Sequence, residues 1–273
     1  MAIRDTVRGA PSRSALLVAA MAILAGITMP QRVRAMVGGA PIAATEYGRS
    51  VVMILGSSGT SGTACTATAI GRDLLLTAAH CVQSGSDYKL VGSEPGQSPV
   101  FKAIARIERH PQFEIKRFLN HLATADVALI KLAEPLPSRI APARIGGGTD
   151  PVSVGDTLVI AGYGVTVMGD GRTGGTARAA ALSVTGQPGL LQIRLFDPAT
   201  KGVNSGLGAC AGDSGAPAFR STAGETKIIG VVSWSTGPNL TAGCGGLTGV
   251  TPLAKYRGWI VDTARKLGTT LAP

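Results

Sequence analysis

Residues 210–217 read Cys-Ala-Gly-Asp-Ser-Gly-Ala-Pro. A Gly-Asp-Ser-Gly turn lifts the Ser214 hydroxyl to the apex of a tight bend, and its small flanking residues let a carbonyl group approach the main chain. A serine hydroxyl is a poor nucleophile at neutral pH. It needs a base within about 3 Å, and imidazole titrates in the right range. The chain holds three histidines. His110 stands in His-Pro-Gln-Phe, which reads as a turn, and His121 lies on an apparent surface loop. His80 closes the run Thr-Ala-Ala-His and abuts Cys81, whose bridging would fix its backbone. Asp126 heads Val-Ala-Leu-Ile-Lys-Leu, a carboxylate at the start of a buried-looking strand. Each of the three has an ordinary structural use alone. Together they supply base, orienting acid and nucleophile in the chain order His, Asp, Ser, one of the orders in which hydrolytic triads occur.

The chain ahead of these segments reads as a secretory leader, residues 1–35. Arg4, Arg8 and Arg13 form a positive start, Ala15–Met29 is apolar, and Val33-Arg34-Ala35 has the spacing of a signal-peptidase site. That apolar run is shorter than the roughly 20 residues a membrane span needs. The formal charge is +10, of which the leader's five arginines and one aspartate carry +4 and the remainder +6. Outside the leader there is no run of five basic residues, and aromatic residues make up 4% of the chain, so nucleic-acid binding has no footprint. Gly169–Gly174 matches G-x-G-x-x-G by letter, but no strand-helix-strand unit surrounds it and it reads as a surface loop.

Four cysteines follow the leader: Cys65, Cys81, Cys210 and Cys244. An even count in an oxidising compartment implies two disulfides, with three possible connectivities. No C-x-x-C occurs and the histidines are not placed for zinc, so neither a metal nor a cofactor is expected.

The elements that must hold these groups are strands. Short apolar or alternating runs recur at 50–55, 65–70, 74–77, 127–132, 157–161, 191–196, 216–219 and 227–233, punctuated by many of the 38 glycines and 16 prolines. This is the pattern of an all-β sandwich or barrel. One helix is expected, from about Leu253 to Leu267, with Tyr256, Trp259, Ile260 and Ala264 on its apolar side. Residues 133–154, with Pro135, Pro137, Pro142, Pro151 and the run Gly146-Gly147-Gly148, read as a crossover between two halves.

The segments around His80, Asp126 and Ser214 resemble the trypsin/chymotrypsin family of serine endopeptidases, from about Met36 to Leu267. The resemblance implies two packed six-stranded antiparallel β-barrels with a C-terminal helix, a first barrel over 36–140 carrying His80 and Asp126, and a second over 141–273 carrying Ser214. It selects the pairings Cys65–Cys81 and Cys210–Cys244. It assigns an oxyanion hole to the backbone N–H groups of Gly212 and Ser214, glycine at 212 serving a conformation costly for other residues. It pairs Asp213 with a freed α-amino group at Met36, where the family usually has Ile or Val. It places Gly208, Ala209, Ser233, Ser235 and Gly249 along the substrate pocket, with Ser233 also bonding the Asp126 carboxylate. None of the pocket residues is acidic, so uncharged side chains are expected there.

The resulting expectation is a secreted or periplasmic serine endopeptidase acting through an acyl-enzyme. A catalytically silent protease-like binding protein and a periplasmic quality-control protease are the alternatives. Protein or peptide substrates are the expected partners, a protein inhibitor being a further candidate. Nucleic acid and a stable membrane span in the mature chain are not expected, and the mature chain is expected to be a monomer.

Overall fold

The apolar runs form strands because successive side chains enter two different buried surfaces. In the computed structural model, which describes residues 36–58, 61–83, 86–92, 100–146, 151–186 and 188–272, fourteen strands fall into two sheets. The expected leader lies outside the described residues, as do Gly147 and Gly148.

The first sheet comprises β1 (Val51–Ser58), β2 (Ser61–Ala69), β3 (Leu74–Thr77), β4 (Asp87–Gly92), β5 (Val100–Lys102), β6 (Ile104–Arg109) and β7 (Ala128–Leu132), in the spatial order β5-β4-β1-β2-β3-β7-β6. The second comprises β8 (Arg144–Ile145), β9 (Thr157–Gly162), β10 (Arg178–Thr185), β11 (Ile193–Phe196), β12 (Pro217–Thr222), β13 (Glu225–Ser235) and β14 (Leu247–Pro252), ordered β12-β9-β10-β11-β14-β13-β8. β12 also pairs with β13, which closes six antiparallel strands into a barrel, while β8 adds one short parallel pairing. The fold is all-β and chymotrypsin-like: two six-stranded antiparallel barrels, one of them a half-barrel, with a C-terminal helix.

Alternation divides the apolar residues among three cores. Along β3, Leu75 enters the first barrel with Val52, Ile54, Ile130 and Leu132. Its neighbours Leu74 and Leu76 turn outward, onto a surface shared with Leu129, Ala161, Phe219, Ile228 and Val231. Ile160, Ile229 and Val232 fill the second barrel. The strands next to the barrel interface are therefore apolar on both faces. That interface also receives Tyr256, Ile260 and Ala264 from the terminal helix.

The C-terminal element begins as a single 3-10 turn at Ala254–Tyr256 and continues as an α-helix over Arg257–Lys266. His110 fastens it: the imidazole lies edge-on to Tyr256 and Trp259, each at 4.9 Å, and its Nδ1 accepts from Gln112 N. Burial, then the Lys255 ammonium, hold the His110 pKa below the ordinary imidazole value. Two short helices, α1 (Thr45–Gly48) and α2 (Ile115–Leu119), are too brief to leave a periodic signal in sequence, and we number the terminal helix α3.

Candidate active site

Thr77 ends β3, and three residues later a short 3-10 turn, Ala79–Cys81, carries His80. Two contacts fix that turn. The Cys65–Cys81 disulfide ties it to β2, and the His80 backbone N–H donates to Asp126 Oδ1 at 2.8 Å. Asp126 lies two residues before β7, which is the strand next to β3 in the sheet. Its Oδ2 faces His80 Nδ1 at 2.7 Å and accepts from Ser233 Oγ at 2.6 Å. Ser233 comes from β13, so both barrels meet at this carboxylate. With the proton on Nδ1, the imidazole donates to Asp126 and leaves Nε2 as a free acceptor. Asp126 is almost fully buried, and the His80 side chain retains 13% exposure.

Ser214 sits between β11 and β12 in a loop docked on the first barrel. Thr66 N donates to the Ser214 carbonyl, and Thr66 Oγ1 donates to Gly212 O, both at 2.8 Å. Thr77 Oγ1 in turn donates to Thr66 O. The approach is so close that a Cβ at Gly215, where φ is +82°, would come within 2.2 Å of Thr66 O and Thr77 Oγ1. The loop thus rests on the strand ends that deliver His80. No hydrogen bond joins Ser214 Oγ to His80 Nε2 among the described residues. Such contacts commonly tighten only when substrate is bound.

Gly212 has φ +95°, and a Cβ there would meet Gly164 Cα at 2.9 Å. Asp213 N is used by the Cys210 carbonyl, whereas the flanking N–H groups of Gly212 and Ser214 donate to no described acceptor. Two unspent donors beside a serine suit a developing oxyanion. The Asp213 side chain points the other way, with Oδ1 accepting from Gly164 N and Oδ2 from Cys210 N. It is fully buried, and that burial, opposed by the two backbone bonds, pushes its pKa up to about 7. Met36 is also fully buried, packed with Ala209 and Ala216 in the second barrel's core, and Val37 bridges to Gly208.

Gly208 N-terminal to the loop is flanked by Gly245 Cα and Thr248 Oγ1, and Ala209 N donates to Thr248 Oγ1 at 3.0 Å. Thr248 is therefore the side chain that reaches Gly208, a contact sequence reasoning missed. Gly249 lies one residue on, where a Cβ would strike the Trp234 indole at 2.0 Å, so its bareness admits that ring. Ser235 is half-buried and donates to Gly243 O. The Cys210–Cys244 disulfide links the Ser214 loop to the strand-connecting loop that carries Gly243 and Gly245.

His80, Cys65 and Cys81 hold their donor atoms within 4.8 Å of one another. Both sulfurs are spent in the disulfide and neither is a thiolate, so the cluster is not a metal centre. His121 is exposed on the loop before Asp126, with φ +56°. That loop also holds Phe118, whose ring stacks on His80, and a cavity of about 150 Å³ walled by Phe118, Leu119, Leu122, Leu191 and Trp234. Sequence reasoning missed these as well. The available sign was the apolar pair Phe118-Leu119 in the stretch leading into Asp126.

Two known proteins are similar to the chain over much of this scaffold. Serine protease SP24D of Anopheles gambiae is 28% identical over 248 residues, covering 84% of this chain and 81% of that protein. Transmembrane protease serine 9 of Rattus norvegicus is 29% identical over 190 residues, 63% of this chain but 17% of that protein. The family model described as Trypsin matches residues 36–260. The chain belongs to the Trypsin family and is a serine-type endopeptidase.

Proposed function

We propose that His80, Asp126 and Ser214 are the catalytic triad. The carrying observation is the Asp126 carboxylate, which accepts from His80 Nδ1 and Ser233 Oγ at once and leaves Nε2 as the only free nitrogen of the ring. Ser214 Oγ attacks the scissile carbonyl and passes its proton to His80 Nε2. Asp126 holds the tautomer and offsets the imidazolium. The N–H groups of Gly212 and Ser214 receive the oxyanion, each contributing about 3 kcal/mol to the barrier reduction. The imidazolium returns its proton to the leaving amine, and water, deprotonated by the same nitrogen, hydrolyses the Ser214 ester.

An extended peptide has a place to lie. β12 parts from β13 after the Pro217–Val231 pair, and beyond it, among the described residues, β14 is the strand paired with Trp234 and Ser235. An antiparallel substrate strand added at that edge gains main-chain hydrogen bonds. The floor around Gly208, Ala209 and Thr248 is uncharged, with Ser235 and Gly249 completing the neutral set, which favours cleavage after uncharged, mainly apolar residues. Burying such a side chain contributes roughly 1.5–3 kcal/mol.

The reading extends to maturation. A secretory leader over residues 1–35 is removed, the first barrel spans 36–140 and the second, with its helix, 141–273. Two disulfides fit the oxidising compartment this implies. A cut after Ala35 frees the α-amino group of Met36 to pair with Asp213, so that export itself activates the enzyme.

A peptide-library cleavage profile tests the specificity. Cuts after neutral residues are expected, removed by Ser214→Ala. Efficient hydrolysis of an arginine amide contradicts the neutral pocket, and cleavage that survives Ser214→Ala contradicts the triad.

A further inference from the structure

One hydrogen bond to Asp126 fixes a point on the His80 ring but not its plane. The Nδ1–H···Oδ2 contact defines an axis about which the imidazole can still turn, and turning moves Nε2 away from the proton it must take. Something must hold the face of the ring. The Phe118 ring does: its centroid lies 4.2 Å from that of His80, with the planes 12° apart. At the other end of the ring, Nε2 is 3.8 Å from Cys81 Sγ. The imidazole is thus held by a carboxylate at one edge, a disulfide near the other, and an aromatic plane on its face.

We propose that Phe118 is a positioning residue for His80, holding the plane of the base and stabilising the imidazolium formed when it takes the Ser214 proton. The inference rests on the triad reading given above. A cation within about 6 Å of an aromatic centroid is attracted by the ring quadrupole. That attraction is absent while the imidazole is neutral, so it acts on the step in which charge develops and appears in kcat rather than in KM.

The element presenting Phe118 suits this purpose. Residues 112–124 form a loop closed on itself by Thr124, whose hydroxyl accepts from Glu114 N and donates to Gln112 O. Leu122 N returns to Arg117 O, and Arg117 Nε donates to Ala123 O. No residue of α2 is buried, and Phe118 meets Phe113 at 6.5 Å before reaching His80. The loop ends two residues before Asp126, so the acid that aims the imidazole edge and the ring that holds its face are set by one short stretch of chain. Because Phe118 also walls the cavity with Leu119 and Trp234, a direct role in substrate contact is the competing explanation.

The two explanations separate with a reagent that carries no peptide. The rate at which a phosphonofluoridate labels Ser214 depends on the base and not on the groove. Phe118→Ala is expected to slow labelling about tenfold and to lower kcat for a small tripeptide anilide by a similar factor, with KM within about twofold. Phe118→Tyr, which keeps the ring, is expected to restore both rates, and Phe118→Leu, which keeps volume without a ring, is not. The downfield proton resonance of the His80 Nδ1–H is expected to broaden in the alanine and leucine variants. Circular dichroism and thermal midpoint confirm that each variant folds. Labelling at the wild-type rate in Phe118→Ala, with only KM changed, makes Phe118 a wall of the groove and overturns the proposal. Equal rescue by leucine and tyrosine overturns the stacking argument. Labelling that persists undiminished in His80→Ala instead refutes the triad itself, whatever Phe118 does.

Discussion

Two aspartates are shut away from solvent on either side of Ser214, and their surroundings differ in kind. Asp126 accepts three hydrogen bonds, from His80 N, His80 Nδ1 and Ser233 Oγ, and one of those donors can become a cation. Asp213 accepts two, both from backbone N–H groups, and no cation faces it among the described residues. The first corner is complete as it stands. The second holds a carboxylate whose pKa is pushed up to about 7 by burial, so it ionises less readily than an ordinary aspartate. The comparison separates the two proposed roles: Asp126 in the reaction, and Asp213 in sensing a charged amino terminus.

The largest effects should appear at the first corner. Ser214→Ala and His80→Ala are each expected to lower kcat by on the order of 10⁴–10⁶, and the double variant no further, because the two act as a unit. Steady-state kinetics on folded protein check this, and a double variant that loses the product of both factors breaks it. Asp126→Asn is expected to cost about 10⁴ in kcat while leaving the backbone in place, since the amide holds the wrong tautomer.

The second corner should respond to pH and to the cut after Ala35. In a chain where residue 35 still precedes Met36, Asp213 has a folded pKa near 7 against a reference of 3.8. The folded state then binds the proton more tightly than the unfolded state. Stability is fullest below about pH 4 and declines as pH rises towards 7, by about 4 kcal/mol in all. Urea unfolding across that range measures it, and Asp213→Asn should flatten the decline. In a chain beginning at Met36 the ion pair raises the α-amino pKa above its unfolded value of about 7.7–8.0. Its contribution is full below that value and is lost as pH rises through the folded one, so activity fades on the alkaline side. A decline of equal size in both chains removes the distinction between the corners.

Opening the Cys65–Cys81 disulfide should have a smaller effect, about 3 kcal/mol of stability for a loop of 16 residues. It acts on the His80 turn and leaves the Asp213 corner alone. Paired Cys→Ala variants with denaturation curves test this, and a changed pH dependence around Asp213 contradicts it.

Much of this was legible in sequence because interface strands are apolar on both faces. Leu74–Thr77, buried at every position, was read with its observed bounds. β13 ran further, to Glu225–Ser235: it starts at exposed, polar Glu225 and continues past Ser233 through half-buried Trp234 and Ser235. β6 went unread: its six residues, Ile104–Arg109, carry three charges and none is buried. β14 was missed because Thr248, Gly249 and Thr251 break the apolar pattern, although every residue after Leu247 is buried. The residues proposed as the triad were visible as three local segments, each with its own short pattern. Of what touches them, the Ser233 bond to Asp126 was implied by the family resemblance, and other contacts were not. Phe118 lies eight positions before Asp126 in the five-residue helix α2, where nothing local signals a contact with His80, and Thr248 reaches Gly208 only through the pairing of distant strands.

The central claim is that one serine is activated by one imidazole. Labelling the protein with a phosphonofluoridate and mapping the adduct by mass spectrometry tests it directly. One adduct per chain, on Ser214, with loss of peptidase activity in step and no labelling in His80→Ala, is the expected result. An adduct on another residue, or peptidase activity that survives complete modification of Ser214, contradicts it.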